Sequence, residues 1–133
     1  MDITAEASGG AARGRRILLV DDSVDAALAM SMLLEALGHE VRTEHDGPRA
    51  LASIDDFKPD VVVLDIGLPG MNGFDVAREM RKRDVTRSAL LLALTGWGSD
   101  ADRQTAIDAG FDHHLTKPVI ITDLEALLAG PRA

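Results

Sequence analysis

Four short segments of this chain each stop on a residue able to handle a phosphate or a cation. Asp21 and Asp22 follow ILLV at 17–20, Asp65 follows VVVL at 61–64, Thr95 follows LLLAL at 90–94, and Lys117 follows HHLT at 113–116. Carboxylates brought close together repel one another and stay ionised only with a cation. The natural occupant is a hard divalent ion with oxygen ligands, Mg2+ or Mn2+. A hydroxyl and an ammonium on the far side can grip phosphoryl oxygens, the electrostatic clamp that phosphoryl transfer requires. Aspartate can itself be the nucleophile, giving an acyl phosphate.

Each residue alone has an ordinary explanation: an acid after a strand caps a helix, a threonine ends a strand, and a Lys-Pro pair is uninformative. Their joint placement at strand ends is the signal. The paired histidines of HHLTKP, 113–118, suggest a metal site at first. Adjacent strand residues point to opposite faces, so His113 and His114 do not readily share one ion. The function there falls to Lys117, and His113 reads as structural.

The segments that must position these residues alternate β and α five times. The runs at 17–20, 61–64 and 90–94 are apolar throughout, as expected of strands buried on both faces, while EVRTEH at 40–45 is half polar and suits an edge. Ala26, Met30, Leu33, Leu34 and Leu37 fall at helical spacing, with Gly38 closing the first helix. Gly47 and Pro48 open a second helix running to Phe57. The loop IGLPGMNG, 66–73, leads into a third from Phe74 to Arg83. Ser99 with Asp102 predicts a cap for a fourth, ending at Ala109–Gly110, and Thr122 with Glu125 has capping-box spacing for the last. The pattern predicts an α/β domain, a doubly wound five-stranded parallel sheet with helices on both faces. In such sheets ligands bind beyond the carboxyl ends of the strands. If the strand order is 2-1-3-4-5, the acids after strands one and three converge.

Composition narrows the field. The 133 residues suit one domain, and 46% hydrophobic content supports one core, built of aliphatics because aromatics make up only 3%. We expect a disordered lead or linker over 1–14 and a folded domain over 15–130. A net charge of −8 repels nucleic acid and anionic membranes. Arg78, Arg81, Lys82, Arg83 and Arg87 form a basic run, read as a solvated helix face. Cysteine is absent, which removes disulfides and thiolate chemistry. No segment has the length of a membrane span or the order of a secretory signal, so a cytoplasmic location is expected.

VDDS, VVLDIGLPGMNG, LALTGWG and HHLTKP together resemble the receiver (response-regulator, CheY-like) domain of two-component signalling, over residues 15 to 129. The wording around RGRRILLVDDS, LTGWG and FDHHLTKPV is most similar to the receivers of hybrid histidine kinases. The resemblance implies a flavodoxin-like (βα)5 fold of strand order 2-1-3-4-5 and a phosphoacceptor signalling module rather than a turnover enzyme. It implies that Asp65 takes a phosphoryl group from a phosphohistidine on a histidine kinase or histidine phosphotransfer protein. Asp22 would ligate Mg2+ directly, Asp21 through water, and the Gly67 backbone carbonyl would be the third protein ligand. Thr95 and Lys117 would contact the phosphoryl oxygens, Pro118 would follow a cis bond, and Pro69 and Gly73 match the loop after the nucleophile.

At the position of the family's aromatic switch, three before the lysine, stands His114, an imidazole that can titrate and hydrogen-bond. Trp97, near the site mouth, is expected to slow self-dephosphorylation. Ala29, Met32 and Ala36 suggest a docking patch for the kinase, and Arg103, Ile107 and Asp123 mark a face for a receiver homodimer. Three other classes compete. An aspartyl-nucleophile phosphatase needs an acid where Gly67 stands. An FMN-binding domain would prefer a hydroxyl- and glycine-rich loop to VDDS. A docking-only pseudo-receiver would have no need of the full set Asp21, Asp22, Asp65, Thr95 and Lys117.

Overall fold

A computed structural model describes residues 14–96 and 100–129, the side chains of 100–102 excepted. The strands are β1 (Arg16–Val20), β2 (Glu40–Glu44), β3 (Val61–Asp65), β4 (Leu90–Thr95) and β5 (His113–Thr116). The helices are α1 (Val24–Ala36), α2 (Gly47–Phe57), α3 (Gly73–Lys82), α4 (Asp100–Ala109) and α5 (Ile121–Ala129). The sheet is parallel, in the order β2-β1-β3-β4-β5. The chain therefore reverses its direction of winding between β1 and β3, and a crevice opens at their carboxyl ends.

Strand alternation divides the core into two layers. Leu18, Val20, Val62, Leu64, Leu91 and Ala93 face α2, α3 and α4 through Ala50, Ile54, Val76, Met80 and Ala106. Ile17, Leu19, Val63, Leu92 and Leu94 face α1 and α5 through Ala27, Leu34, Leu124 and Leu128. A fully buried aliphatic side chain contributes about 1.5–3 kcal/mol relative to leaving it exposed. The central strands are therefore a well-packed base for the loops at their carboxyl ends.

The local signals act as the chemistry of caps dictates. Ser23, Asp46 and Asn72 are the N-caps of α1, α2 and α3, accepting from the N–H of Ala26, Arg49 and Asp75 at 3.3, 2.8 and 3.0 Å. Gly38, at φ +100°, reverses the chain after α1.

Three expectations change. The buried face of α1 is Ala27, Ser31 and Leu34, while Ala26 is exposed and Leu33 and Leu37 are 52% and 47% exposed. Apolar residues stand on every side of this helix, so periodicity alone does not select a face. Contact with the sheet does. Thr122 lies inside the first turn of α5, whose first residue is Ile121, so it does not cap the helix. The basic run is not uniformly solvated. Arg81 donates from Nε to the carbonyl of Gly110 (2.9 Å), from Nη1 to those of Arg87 and Ala89 (2.9 and 2.8 Å), and from Nη2 to Asp112 (2.9 Å). It ties α3 to the turns on either side of β4 and α4. Arg78, Lys82 and Arg87 pair with acids three residues before them. The lead at 1–13, the Ser99–Asp102 cap and Trp97 lie outside the described residues or side chains.

Candidate phosphoacceptor site

The end of β1 turns directly into α1. Asp21 is buried there, its Oδ1 accepting from the N–H of Ser23 at 2.9 Å, while Asp22 is exposed at the rim. β3 ends on Asp65, 7% exposed, whose Oδ1 accepts from the N–H of Gly67 at 2.8 Å. Because β1 and β3 are neighbours, each of Asp21, Asp22 and Asp65 brings one carboxylate oxygen within 4.8 Å of the others. Among the described residues this is the one group of three or more potential metal ligands, and it contains no histidine.

The other wall comes from β4 and β5. Thr95 is buried at the end of β4, and its carbonyl accepts from the N–H of Lys117 at 2.8 Å. That bond continues the ladder one step beyond Thr95 and Thr116 and fixes where the lysine leaves the sheet. The Lys117–Pro118 bond is cis. The Lys117 ammonium donates to Asp65 Oδ2 at 2.6 Å and stands 3.5 Å from Asp21 Oδ2. Burial, the largest single influence, pulls its pKa down; the hydrogen bond and charge of Asp65, with the charge of Asp21, outweigh it, and the pKa ends above the ordinary 10.5.

The five residues singled out by type and spacing thus come from four strand ends to one crevice. Gly67 is there too, with its N–H turned to Asp65. A Cβ there would meet, among the described residues, only Asp65 Oδ1, at 3.4 Å. His114 is elsewhere: it pairs with Ala93 and, with His113, lines a cavity of about 540 Å3 bounded by α4, β5 and α5, which Arg103, Ile107 and Asp123 also line. One neighbour of the crevice escapes a sequence-based search. His45 places Nδ1 2.9 Å from the backbone carbonyl of Asp21. Only the register of β1 on β2 brings them together.

A crevice with three carboxylates, a threonine and a lysine at the topological switch of a parallel sheet defines a class of protein. Residues 17–129 match the response regulator receiver domain, and the chain belongs to that family. It is therefore a receiver domain of the kind found in signalling proteins. The chain is 40% identical over 86% of its length to the transcriptional regulatory protein TrcR of Mycobacterium tuberculosis, of which it covers 44%. It is 34% identical to the protein PilH of Pseudomonas aeruginosa, covering 86% of this chain and 98% of PilH. The crystal structure of the receiver domain of sensor histidine kinase PA1611 from Pseudomonas aeruginosa, with a magnesium ion coordinated in its active-site cleft, superimposes with a TM-score of 0.79. That match is at 30% identity over 87% of this chain and 95% of that one. The chain spans about half the length of TrcR and of other curated transcriptional regulators that it matches. No helix among the described residues is long and apolar enough to cross a membrane.

Proposed function

We propose that the domain accepts a phosphoryl group on Asp65 from the phosphohistidine of a histidine kinase or histidine phosphotransfer protein, in a Mg2+-dependent reaction. The supporting observation is the convergence of Asp21, Asp22 and Asp65 within 4.8 Å, with Lys117 hydrogen-bonded to Asp65. The donor set is all oxygen and anionic, which suits a hard divalent ion. Asp22, Asp65 and the Gly67 carbonyl would hold it, with Asp21 acting through water; the receiver of PA1611 has a magnesium ion coordinated in its active-site cleft. When bound, the ion supplies charge neutralisation of the attacking carboxylate and the transferring phosphoryl group.

The remaining chemistry belongs to the chain. A carboxylate oxygen of Asp65 attacks phosphorus, the bond from phosphorus to the donor's imidazole nitrogen breaks, and that nitrogen keeps the electron pair. The Lys117 ammonium, already on Asp65, and the Thr95 hydroxyl bind the phosphoryl oxygens as charge accumulates on them. Signal output arises from the pull of the phosphoryl group on Thr95 and the packing of His114. Val24, Leu28, Met32 and Leu33 of α1, each more than half exposed, stand around Ala29 and Ala36 beside the crevice and form the surface for a helical partner.

The test is intact mass after incubation with Mg2+ and acetyl phosphate, for wild type and Asp65→Asn. One phosphoryl adduct on wild type, lost with Mg2+ removal and absent from the variant, is expected. No adduct on wild type, or the same adduct on the variant, overturns the assignment.

A further inference from the structure

We propose that His45 is a positioning residue of this site, holding the Asp21–Asp22 peptide at the angle a divalent cation needs; the inference rests on the function proposed above. β1 and β2 pair in parallel as far as Val20 and Glu44. One more ladder bond extends the pairing, from the N–H of Asp21 to the carbonyl of Glu44 at 3.1 Å. The chain then leaves the sheet, because Asp46 is already the N-cap of α2. At this point a side chain takes over from the backbone: His45 Nδ1 lies 2.9 Å from the carbonyl oxygen of Asp21. A carbonyl oxygen can only accept, so Nδ1 carries the proton and donates. Glu44 and His45 together engage both backbone groups of Asp21.

The consequence reaches Asp22. The carbonyl of Asp21 and the N–H of Asp22 share one rigid peptide plane. Fixing that carbonyl fixes the direction in which Asp22 leaves β1. Asp21 has a second restraint, the bond from the Ser23 N–H to its carboxylate. Asp22 is exposed, and its backbone direction is set by this plane. The His45 ring is not counted among the ligands, because the metal-capable group among the described residues holds aspartates only. It acts one bond behind the ligands, where loss of an orienting hydrogen bond typically weakens metal affinity by tenfold or more.

The test is Mn2+ titration of the full chain, read by the electron paramagnetic resonance signal of free Mn2+, for wild type, His45→Ala and His45→Asn, with urea midpoints measured in parallel. An asparagine amide nitrogen reaches nearly the place of Nδ1, so it retains the donor without the ring. We expect His45→Ala to weaken Mn2+ binding by about tenfold, and His45→Asn to return it to within about threefold of wild type. If His45→Ala does not fold, His45→Leu, which keeps bulk and lacks the donor, takes its place. Wild-type affinity in His45→Ala, or an equal loss in both variants with an unchanged urea midpoint for His45→Asn, overturns the role while leaving the metal site standing. A wild-type chain that takes up no Mn2+ overturns the proposed function and this inference with it.

Discussion

The Lys117 ammonium stands 2.6 Å from one carboxylate oxygen of Asp65 and 3.5 Å from one of Asp21, so a single side chain compensates two of the three clustered acids. Lysine and a divalent cation are therefore competitors for the same negative charge.

Removing the lysine should separate affinity from chemistry. For Lys117→Met we expect tighter Mn2+ binding, by about tenfold, the order expected for deleting a nearby unit charge in a partly solvated site. Phosphorylation by acetyl phosphate should fall by about a hundredfold, the scale of losing one pre-organised charge donor. Titration and intact-mass kinetics on the same protein check both. Unchanged affinity would show that the lysine does not offset the acids.

The raised pKa of Lys117 sets the pH window of its contribution to stability. A folded pKa above the unfolded one means that the contribution is fully present below the unfolded value and is lost as pH rises through the folded value. Urea unfolding should therefore show a constant difference between wild type and Lys117→Met from about pH 8 to about pH 10. The difference should shrink only above 10.5, the ordinary lysine value. Shrinkage below about pH 9 contradicts the raised pKa.

Arg81 is a clamp remote from the crevice. Its guanidinium satisfies carbonyls at Gly110, Arg87 and Ala89 and pairs with Asp112, which also accepts from the N–H of Leu91 at 2.8 Å. Truncation leaves several part-buried acceptors without this donor. We expect Arg81→Ala to lower unfolding free energy by about 2–3 kcal/mol. Arg81→Lys should recover little, since an ammonium cannot span that fork of acceptors. Urea denaturation of the two variants decides.

Gly73 couples stability to the site. A Cβ there would lie 2.5 Å from Ile66 Cα and 2.8 Å from the carbonyl oxygen of Asp65. Both are backbone atoms, so the loop after the nucleophile must shift. Gly73→Ala should cost about 1–3 kcal/mol and slow phosphorylation as well. Normal phosphorylation kinetics in a destabilised variant would show that the loop absorbs the methyl group without moving Asp65.

Much of this was legible in the residues. Runs such as VVVL and LLLAL are apolar throughout because a parallel sheet is covered on both faces, so their type and limits follow from solvent exclusion alone. The acids, threonine and lysine stand out by their joint placement at strand ends, since each of them alone has an ordinary explanation. The buried face of α1 was not legible, since a helix apolar on all sides has no unique stripe. Nor were the ties of Arg81 to Gly110 and Asp112 and of His45 to Asp21, which join residues more than twenty positions apart and of types that suggest a solvated surface.

The alternation of strand and helix, the residue types at the strand ends, and thus the chemistry available are already present in the order of the residues. Which strands are neighbours, and with that whether Asp21 and Asp22 meet Asp65 and whether Lys117 reaches either of them, depends on the folded sheet. Local propensity and burial act over a few residues and are written into the chain. Charge, hydrogen bonding and metal affinity act over a few ångström of space, and that space exists only once β1, β3, β4 and β5 lie side by side.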